Sequence, residues 1–279
     1  MALSTTTFSV STAKSFSLVG DVYTNTHLDN KNLQPYPAII LCHGLVQTRQ
    51  SKSLQVIIEA IANTSGLEDL RIITFDFQGC GESGGETSYG NYNEEAENLE
   101  TIIRFAKNNL NFRIIGTLGH SKGAAVVLLH AATYLDSTLP LVINVSARFD
   151  HSETPVDRFT SEMMTSLNEK GSFILTYDSN SKPYIITAED MRARNSLDMT
   201  VVKNIKNSTK VLTVHGDADN VCPVKGAYEY DRLLGDRHKL VIVKNAGHRW
   251  CQTSAEIEEL GQTVVGWIKE NWQWAIENA

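Results

Sequence analysis

Short apolar runs alternate with longer amphipathic segments along most of the 279 residues, and this alternation limits the possible folds more than any other feature. The runs carry Val, Ile and Leu at consecutive positions, as expected for parallel strands that are covered on both faces. We predict six such strands, at residues 38–42, 71–76, 113–118, 141–146, 210–215 and 239–244. Helices are predicted between them at residues 52–62, 93–109, 124–135, 224–234 and 254–274. The order predicts an open, mostly parallel sheet with helices on both faces.

Two segments depart from this alternation. Residues 8–10 and 16–23 predict a leading hairpin that forms an antiparallel edge of the sheet. Later, residues 151–207 separate two predicted strands where a single crossover helix would suffice. That stretch contains a predicted pair of short strands followed by a helix from Ala188, which favours a cap over one end of the sheet. We therefore expect a core formed by residues 1–150 and 208–279, with residues 151–207 inserted as the cap.

Composition and charge argue against several classes of function. The net charge is -7 and carries no long block of one sign, whereas nucleic-acid binding favours a clustered basic patch. No apolar run approaches the roughly 18 residues of a membrane span. The Ser/Thr-rich N-terminus lacks the basic and apolar regions of a secretory signal, although it leaves an organelle signal as an alternative. The four cysteines are scattered, which favours free thiols and a cytoplasmic location over a disulfide framework.

A serine lies between two glycines at the junction of a predicted strand and a predicted helix. The segment is Gly119-His120-Ser121-Lys122-Gly123, preceded by the apolar residues 114–118 and followed by the helix-forming residues 124–129. The pattern G-x-S-x-G in this setting is typical of a nucleophile elbow, a sharp turn that exposes the serine Oγ. Small residues two positions before and after the serine are needed because the turn brings backbone segments close together. Ser121 is therefore a candidate nucleophile.

Two later loops supply a base and an acid for this serine. Asp217 and Asp219 follow the strand predicted at 210–215, and His248 follows the strand predicted at 239–244. A serine hydroxyl needs a base that removes its proton, and a carboxylate orients that base. Side chains just past the carboxyl ends of parallel strands meet at one edge of the sheet. We favour Asp219 as the acid, because Asp217 directly follows Gly216 and is suited to shaping the turn.

Two backbone N–H groups are candidates for stabilising a developing oxyanion. One belongs to Lys122, which follows the serine at the start of a predicted helix. The other belongs to Leu45, in the loop His43-Gly44-Leu45 after the first parallel strand. A further glycine-rich loop, residues 76–84, is predicted to support the elbow structurally. His43 and His120 flank the site, but without carboxylates or cysteines at ligand spacing we predict no metal.

These motifs together resemble the α/β-hydrolase superfamily over nearly the whole chain. Besides the elbow they are His43-Gly44, Asp76-x-x-Gly79-x-Gly81-x-Ser83, His215-Gly216-x-x-Asp219-x-x-x-Pro223 and Gly247-His248. Three features are similar to the cinnamoyl and feruloyl esterase-like, serine aminopeptidase-type branch: Tyr89-Gly90-Asn91-Tyr92, Lys122 in the elbow, and Asn144-Val145-Ser146-x-Arg148-x-Asp150. The chain departs from the pattern at Ala124, where relatives often carry a second glycine.

The resemblance implies an α/β-hydrolase fold and hydrolysis of carboxylic esters, with a small-molecule ester as partner and no cofactor. It also implies that an aromatic or short acyl group is held under the cap. Candidate pocket residues are Met163, Met164, Phe173, Tyr177 and Tyr184, which could equally form the core of the cap itself. A thioesterase, a serine peptidase and a non-hydrolytic small-molecule receptor stay open as alternatives, because one fold and one triad serve many functions.

Overall fold

The computed structural model describes residues 3–26, 34–137, 139–153, 159–175 and 183–279. Eight strands form one sheet in the order β1-β2-β4-β3-β5-β6-β9-β10. Their bounds are β1 Leu3–Ser11, β2 Ser17–Asn25, β3 Tyr36–Cys42, β4 Arg71–Phe75, β5 Phe112–His120, β6 Leu141–Val145, β9 Lys210–Gly216 and β10 His238–Val243. The pairs β1–β2 and β2–β4 are antiparallel and the other pairs are parallel, as the sequence predicts.

Helices cover both faces of the sheet. Their bounds are α1 Lys52–Ala62, α2 Tyr92–Asn109, α3 Lys122–Thr133, α4 Ser161–Lys170, α5 Ala188–Asn195, α6 Lys225–Leu234, α7 Ser254–Glu270 and α8 Trp272–Asn278. The first core layer contains apolar side chains of α2, α3 and α6, and the second contains those of α1, α7 and α8. Every residue of β3, β4 and β6 is buried, because each of these strands has a helical layer on either side.

The last predicted helix, over residues 254–274, is wrong as a single element. The structure ends α7 at Glu270 and starts α8 at Trp272. Asn271 at the break donates from its side-chain amide to the Trp267 carbonyl at 2.9 Å and accepts from Lys210 Nζ at 2.8 Å. Asparagine competes with the helical backbone for such hydrogen bonds, which explains the interruption.

The segment between β6 and β9 contains α4, the hairpin of β7 (Ser172–Leu175) with β8 (Tyr184–Thr187), and α5. Its apolar side chains form a third cluster with Tyr89, separate from the two layers beside the sheet. A 3₁₀ helix at Met199–Asn204 follows, and its Met199 and Val202 pack with α3 in the first core layer. Within the described residues, no helix has the length and apolar character needed to cross a membrane.

Candidate active site

Ser121 lies in a strained turn between β5 and α3. Its φ of 57° and ψ of -117° are unusual for a residue with a side chain. A Cβ at Gly119 would lie 2.1 Å from the Gly123 carbonyl oxygen, and a Cβ at Gly123 would lie 2.5 Å from the Cys42 carbonyl oxygen. Both positions therefore require glycine, and the turn has the strand-elbow-helix form that the sequence predicts.

The structure brings Ser121, His248 and Asp219 together in one hydrogen-bonded line. His248 Nε2 lies 2.8 Å from Ser121 Oγ, and His248 Nδ1 lies 2.8 Å from Asp219 Oδ2. An ionised carboxylate only accepts hydrogen bonds, so Nδ1 carries the proton of a neutral imidazole and Nε2 is left as the acceptor for the serine. This geometry can remove a proton from Ser121 as its oxygen attacks an electrophile.

Asp219 is held in its ionised form. Burial alone would raise its pKa, but contacts from His215 and His248 and the hydrogen bond from the Cys222 N–H outweigh that effect, so the pKa lies well below its usual value. Its second oxygen, Oδ1, accepts from the backbone N–H groups of Val221 and Cys222 at 2.9 and 2.8 Å. Both oxygens are therefore oriented, one toward the loop backbone and one toward the imidazole.

Asp217 lies elsewhere in the same loop. Its side chain is exposed, and its Oδ1 accepts from the Asn245 N–H at 2.6 Å. This contact joins the two loops that carry Asp219 and His248. The position of Asp217 agrees with the turn-shaping role expected from its place after Gly216.

The two predicted oxyanion donors belong to residues that line one cleft with Ser121. Lys122 is the first residue of α3, so its N–H has no acceptor within the helix. The Leu45 loop packs on Ser121, because a Cβ at Gly44 would lie 3.2 Å from Ser121 Cβ. The Gly44 N–H is already used by Gln47 Oε1 at 3.0 Å, which leaves the next residue, Leu45, as the candidate donor.

A buried arginine secures the loop that carries Leu45. The Arg49 N–H donates to Asp76 Oδ1 at 2.7 Å, and Arg49 Nε donates to Asp21 Oδ2 at 2.7 Å. Asp76 begins the glycine-rich loop that the sequence predicts to be structural, and a Cβ at Gly81 would collide with this carboxylate. The glycine-rich loop therefore fixes the segment that carries Leu45 through Arg49, a contact that no sequence motif indicates.

His43 and His120 hold the backbone of the site as neutral rings. His43 donates from Nδ1 to the Gly44 carbonyl at 2.8 Å, and its Nε2 accepts from the Phe77 N–H. His120 donates from Nε2 to the His248 carbonyl at 2.8 Å. Burial lowers the pKa of His43 to about 4 and that of His120 to about 3. In the part of the chain that the structure describes, no group of three or more His, Cys, Asp or Glu could hold a metal ion.

Two further contacts fix the loop that carries His248. The Gly247 N–H donates at 2.8 Å to Oε1 of Glu256, which lies in the first turn of α7. Trp250 is fully buried, and its indole N–H donates to Ser146 Oγ at 3.0 Å. These contacts fix the residues on either side of His248, while His120 holds its carbonyl and Asp219 holds its ring.

The side chain of Lys122 is buried beneath the elbow. Its ammonium donates to Glu95 Oε1 at 2.7 Å, to Asn91 Oδ1 at 2.5 Å and to the Ser88 carbonyl at 2.9 Å. Three acceptors use the three N–H groups of the ammonium. The Lys122–Glu95 ion pair joins the start of α2 to the start of α3, directly beside Ser121.

A narrow cleft with a volume of about 30 Å³ opens beside Ser121. It is lined by Leu45, Tyr89, Tyr92, Ser121, Lys122, Ala125, Arg148, His151, Arg194, Val221 and Cys222. Of the residues predicted to form an acyl pocket, Met163, Met164, Phe173 and Tyr184 pack in the third cluster and are not among these lining residues. Phe173 and Tyr184 are turned inward by the β7–β8 hairpin, which favours their role as the cap's own core. Tyr177 lies outside the described residues.

Two family models match the chain. One, described as the alpha/beta hydrolase fold, matches residues 37–166. The other, described as the prolyl oligopeptidase family, matches residues 115–274, which is more than half of the chain and includes Ser121, Asp219 and His248.

Relatives and solved structures agree with these matches. A monoacylglycerol lipase of Mycolicibacterium smegmatis is 24% identical over 243 residues, which are 80% of this chain and 83% of the lipase. An uncharacterised protein of Saccharomyces cerevisiae is 24% identical, over 81% of this chain and 72% of its own length. Est1E from Butyrivibrio proteoclasticus, solved with ferulic acid bound, has a TM-score of 0.75 at 18% identity, covering 94% of this chain and 98% of Est1E. The Pyrococcus furiosus esterase Pf2001 has a TM-score of 0.70 at 17% identity, covering 96% and 91%.

Proposed function

Since this chain belongs to the α/β-hydrolase superfamily and, by its match over residues 115–274, to the prolyl oligopeptidase family, we propose that it hydrolyses carboxylic esters with Ser121 as nucleophile. The observation that carries the proposal is the line of two 2.8 Å contacts from Ser121 Oγ through His248 to Asp219. An esterase needs this order of hydroxyl, imidazole and carboxylate, with the carboxylate ionised.

The reaction proceeds through an acyl-enzyme. Ser121 Oγ attacks the ester carbonyl carbon while His248 Nε2 takes the hydroxyl proton, and Asp219 stabilises the imidazolium that forms. The N–H groups of Leu45 and Lys122 stabilise the negative oxygen of the tetrahedral intermediate. His248 then gives the proton to the departing alkoxide oxygen. A water molecule, deprotonated by His248, then attacks the acyl carbon, and His248 returns that proton to Ser121 Oγ as the carboxylic acid leaves.

The substrate class that best fits is a small ester with an aromatic or short acyl group. The cleft of about 30 Å³ is well below the usual volume of small-molecule sites, so it favours a short acyl group, and Tyr89 and Tyr92 supply aromatic walls. The binding of ferulic acid to Est1E and the lipase activity in the name of the mycobacterial relative both support ester chemistry.

Steady-state hydrolysis of p-nitrophenyl butyrate and methyl cinnamate by wild type and Ser121→Ala tests the proposal. We expect turnover by wild type and a loss of about 10⁶-fold in kcat for the variant, because the nucleophile is absent. Full activity of Ser121→Ala, or no turnover of any ester by correctly folded wild type, would contradict it.

The prolyl oligopeptidase match favours a peptidase as the second candidate. The same triad attacks esters, thioesters and amides, so the leaving group decides between the activities. An oxygen ester, a thioester and an anilide with one shared acyl group separate them. Comparable kcat/KM for anilide and ester would favour the peptidase, and a preference for the ester by several orders of magnitude would favour the esterase.

A further inference from the structure

A buried histidine lies beside the loop that carries Asp219. His215 is the penultimate residue of β9, and it is fully buried. Its Nε2 lies 2.7 Å from the carbonyl oxygen of Cys222, which can only accept, so Nε2 carries a proton whether the ring is neutral or charged. Its Nδ1 has no hydrogen-bond partner among the described residues. The ring therefore makes its contacts to this loop as a donor at Nε2.

Cys222 is the residue at which the loop returns to Asp219. The Cys222 N–H donates to Asp219 Oδ1 at 2.8 Å, and the Cys222 carbonyl oxygen accepts from His215. Pro223 follows, and it has no N–H that could contribute a further backbone hydrogen bond. Cys222 and Asp219 are both buried, so water cannot readily replace the ring as a donor. Loss of the His215 donor would therefore release one side of the residue that orients the carboxylate.

The same Nε2 also faces the carboxylate directly. It lies 3.5 Å from Asp219 Oδ2, the oxygen that lies 2.8 Å from His248 Nδ1. Burial raises the pKa of Asp219, but the contact from His215 is the largest of the contributions that together bring this pKa below its usual value. Oδ2 is thus within reach of two imidazole rings, and only that of His248 extends the line to Ser121.

We propose that His215 is a positioning residue for the acid of the triad: its Nε2–H holds the Asp219 carboxylate so that Oδ2 faces the imidazole of His248. Without this donor the loop relaxes, and the imidazole loses the orientation that proton transfer from Ser121 requires. His215 is not among the residues that line the cleft, so it acts through Asp219. The kinetic consequence rests on the proposed esterase function, whereas the placement of the carboxylate does not.

Two amides at position 215 separate the donor from the space that the ring fills. His215→Gln places an amide N–H near the position of Nε2, whereas His215→Asn places it near the position of Nδ1 and removes the donor to Cys222. In hydrolysis of p-nitrophenyl butyrate, kcat should fall about 100-fold in His215→Asn, because a small displacement of a catalytic group costs about this much. For His215→Gln, kcat should stay within about tenfold of wild type, because the donor is kept.

His215→Met fills the space without any donor. It should behave like His215→Asn, and it takes the place of that variant if His215→Asn fails to fold in urea unfolding measurements. A kcat equal to that of wild type in the variants without the donor, or equal losses in His215→Asn and His215→Gln, would overturn the inference.

Proton NMR spectroscopy gives a readout that needs no turnover. The His248 Nδ1–H, bonded to a buried carboxylate, gives a resonance far downfield, which is assigned by its absence from His248→Ala. We expect this resonance to persist in His215→Gln and to move upfield or disappear through exchange with water in His215→Asn and His215→Met. If wild type hydrolyses no ester, the esterase proposal fails, while this resonance still decides the role of His215. Its absence from wild type, or an unchanged resonance in all three variants, overturns that role.

Discussion

Exchanging Asp219 for asparagine should disable the proposed base by reversing its hydrogen bonding. In the structure, Asp219 Oδ1 accepts from two backbone N–H groups, those of Val221 and Cys222, and Oδ2 faces His248 Nδ1. An asparagine at this position keeps its single oxygen toward the two N–H donors. Its NH₂ group then points at His248 Nδ1 and donates to it, so the ring proton moves to Nε2, where it blocks proton transfer from Ser121.

The magnitude follows from the loss of the correct tautomer. A triad carboxylate replaced by an amide costs about 10⁴-fold in kcat, which corresponds to about 5 kcal/mol of activation free energy. KM should change little, because Asp219 is not among the residues that line the cleft. We therefore expect the loss to appear in kcat.

The matched control is Asp217→Asn, two residues earlier in the same loop. Asp217 is exposed, and the asparagine oxygen can still accept from the Asn245 N–H, so kcat should stay within about threefold of wild type. Both variants are compared with wild type by steady-state hydrolysis of p-nitrophenyl butyrate at about pH 7.5. Asp219→Asn retaining more than about a tenth of wild-type kcat, or equal losses in the two variants, would refute the tautomer argument.

Four other substitutions test the packing and the buried charges of the fold. Gly123→Ala places a Cβ 2.5 Å from the Cys42 carbonyl oxygen, so the free energy of unfolding from thermal denaturation should fall by about 1–3 kcal/mol. An unchanged melting temperature would contradict this packing. Lys122→Met leaves the Glu95 carboxylate buried without its ion pair, so the free energy of unfolding measured in urea should fall by about 3–5 kcal/mol. Adding Glu95→Gln to that variant should restore part of the loss, and no recovery would argue against the pair. Hydrogen bonds overcome burial and lower the pKa of Glu100 to about 2, so its stabilisation is present above pH 4.5 and disappears as the pH falls toward 2. Glu100→Gln should therefore be less stable than wild type by about 2 kcal/mol at pH 7 and equally stable near pH 2, and a difference independent of pH would contradict this assignment.

The sheet and the meeting of its loops could be predicted because both depend on local patterns. Runs of Val, Ile and Leu indicate strands that are buried on both faces, and parallel strands bring their carboxyl ends to one edge. Ser121, Asp219 and His248 each follow such a run, so their position at the same edge of the sheet could be expected, whereas the neighbouring order of β5, β6, β9 and β10 comes from the structure. The structure places Asp219, the residue favoured from its position relative to Gly216, beside His248.

The supporting contacts could not be predicted, because they join side chains that are distant in sequence and depend on tertiary packing. Lys122 pairs with Glu95 across two helix starts, and Trp250 donates to Ser146 across two loops. No periodicity or spacing indicates such pairs. The same limit applies to the cap, where an apolar side chain on a short strand can face the cleft or the cap interior. Only the twist and placement of the hairpin decide between these, and the structure turns Phe173 and Tyr184 inward.

The most direct test of the proposed chemistry is covalent labelling of the folded protein with a fluorophosphonate, followed by peptide mapping in a mass spectrometer. The probe forms a bond only with a serine whose hydroxyl is activated by a neighbouring base. We predict one phosphonyl group per chain, located on Ser121, and strongly reduced labelling in His248→Ala. Absence of labelling in folded wild type, or an adduct on a different residue, would contradict the assignment of Ser121 as the nucleophile.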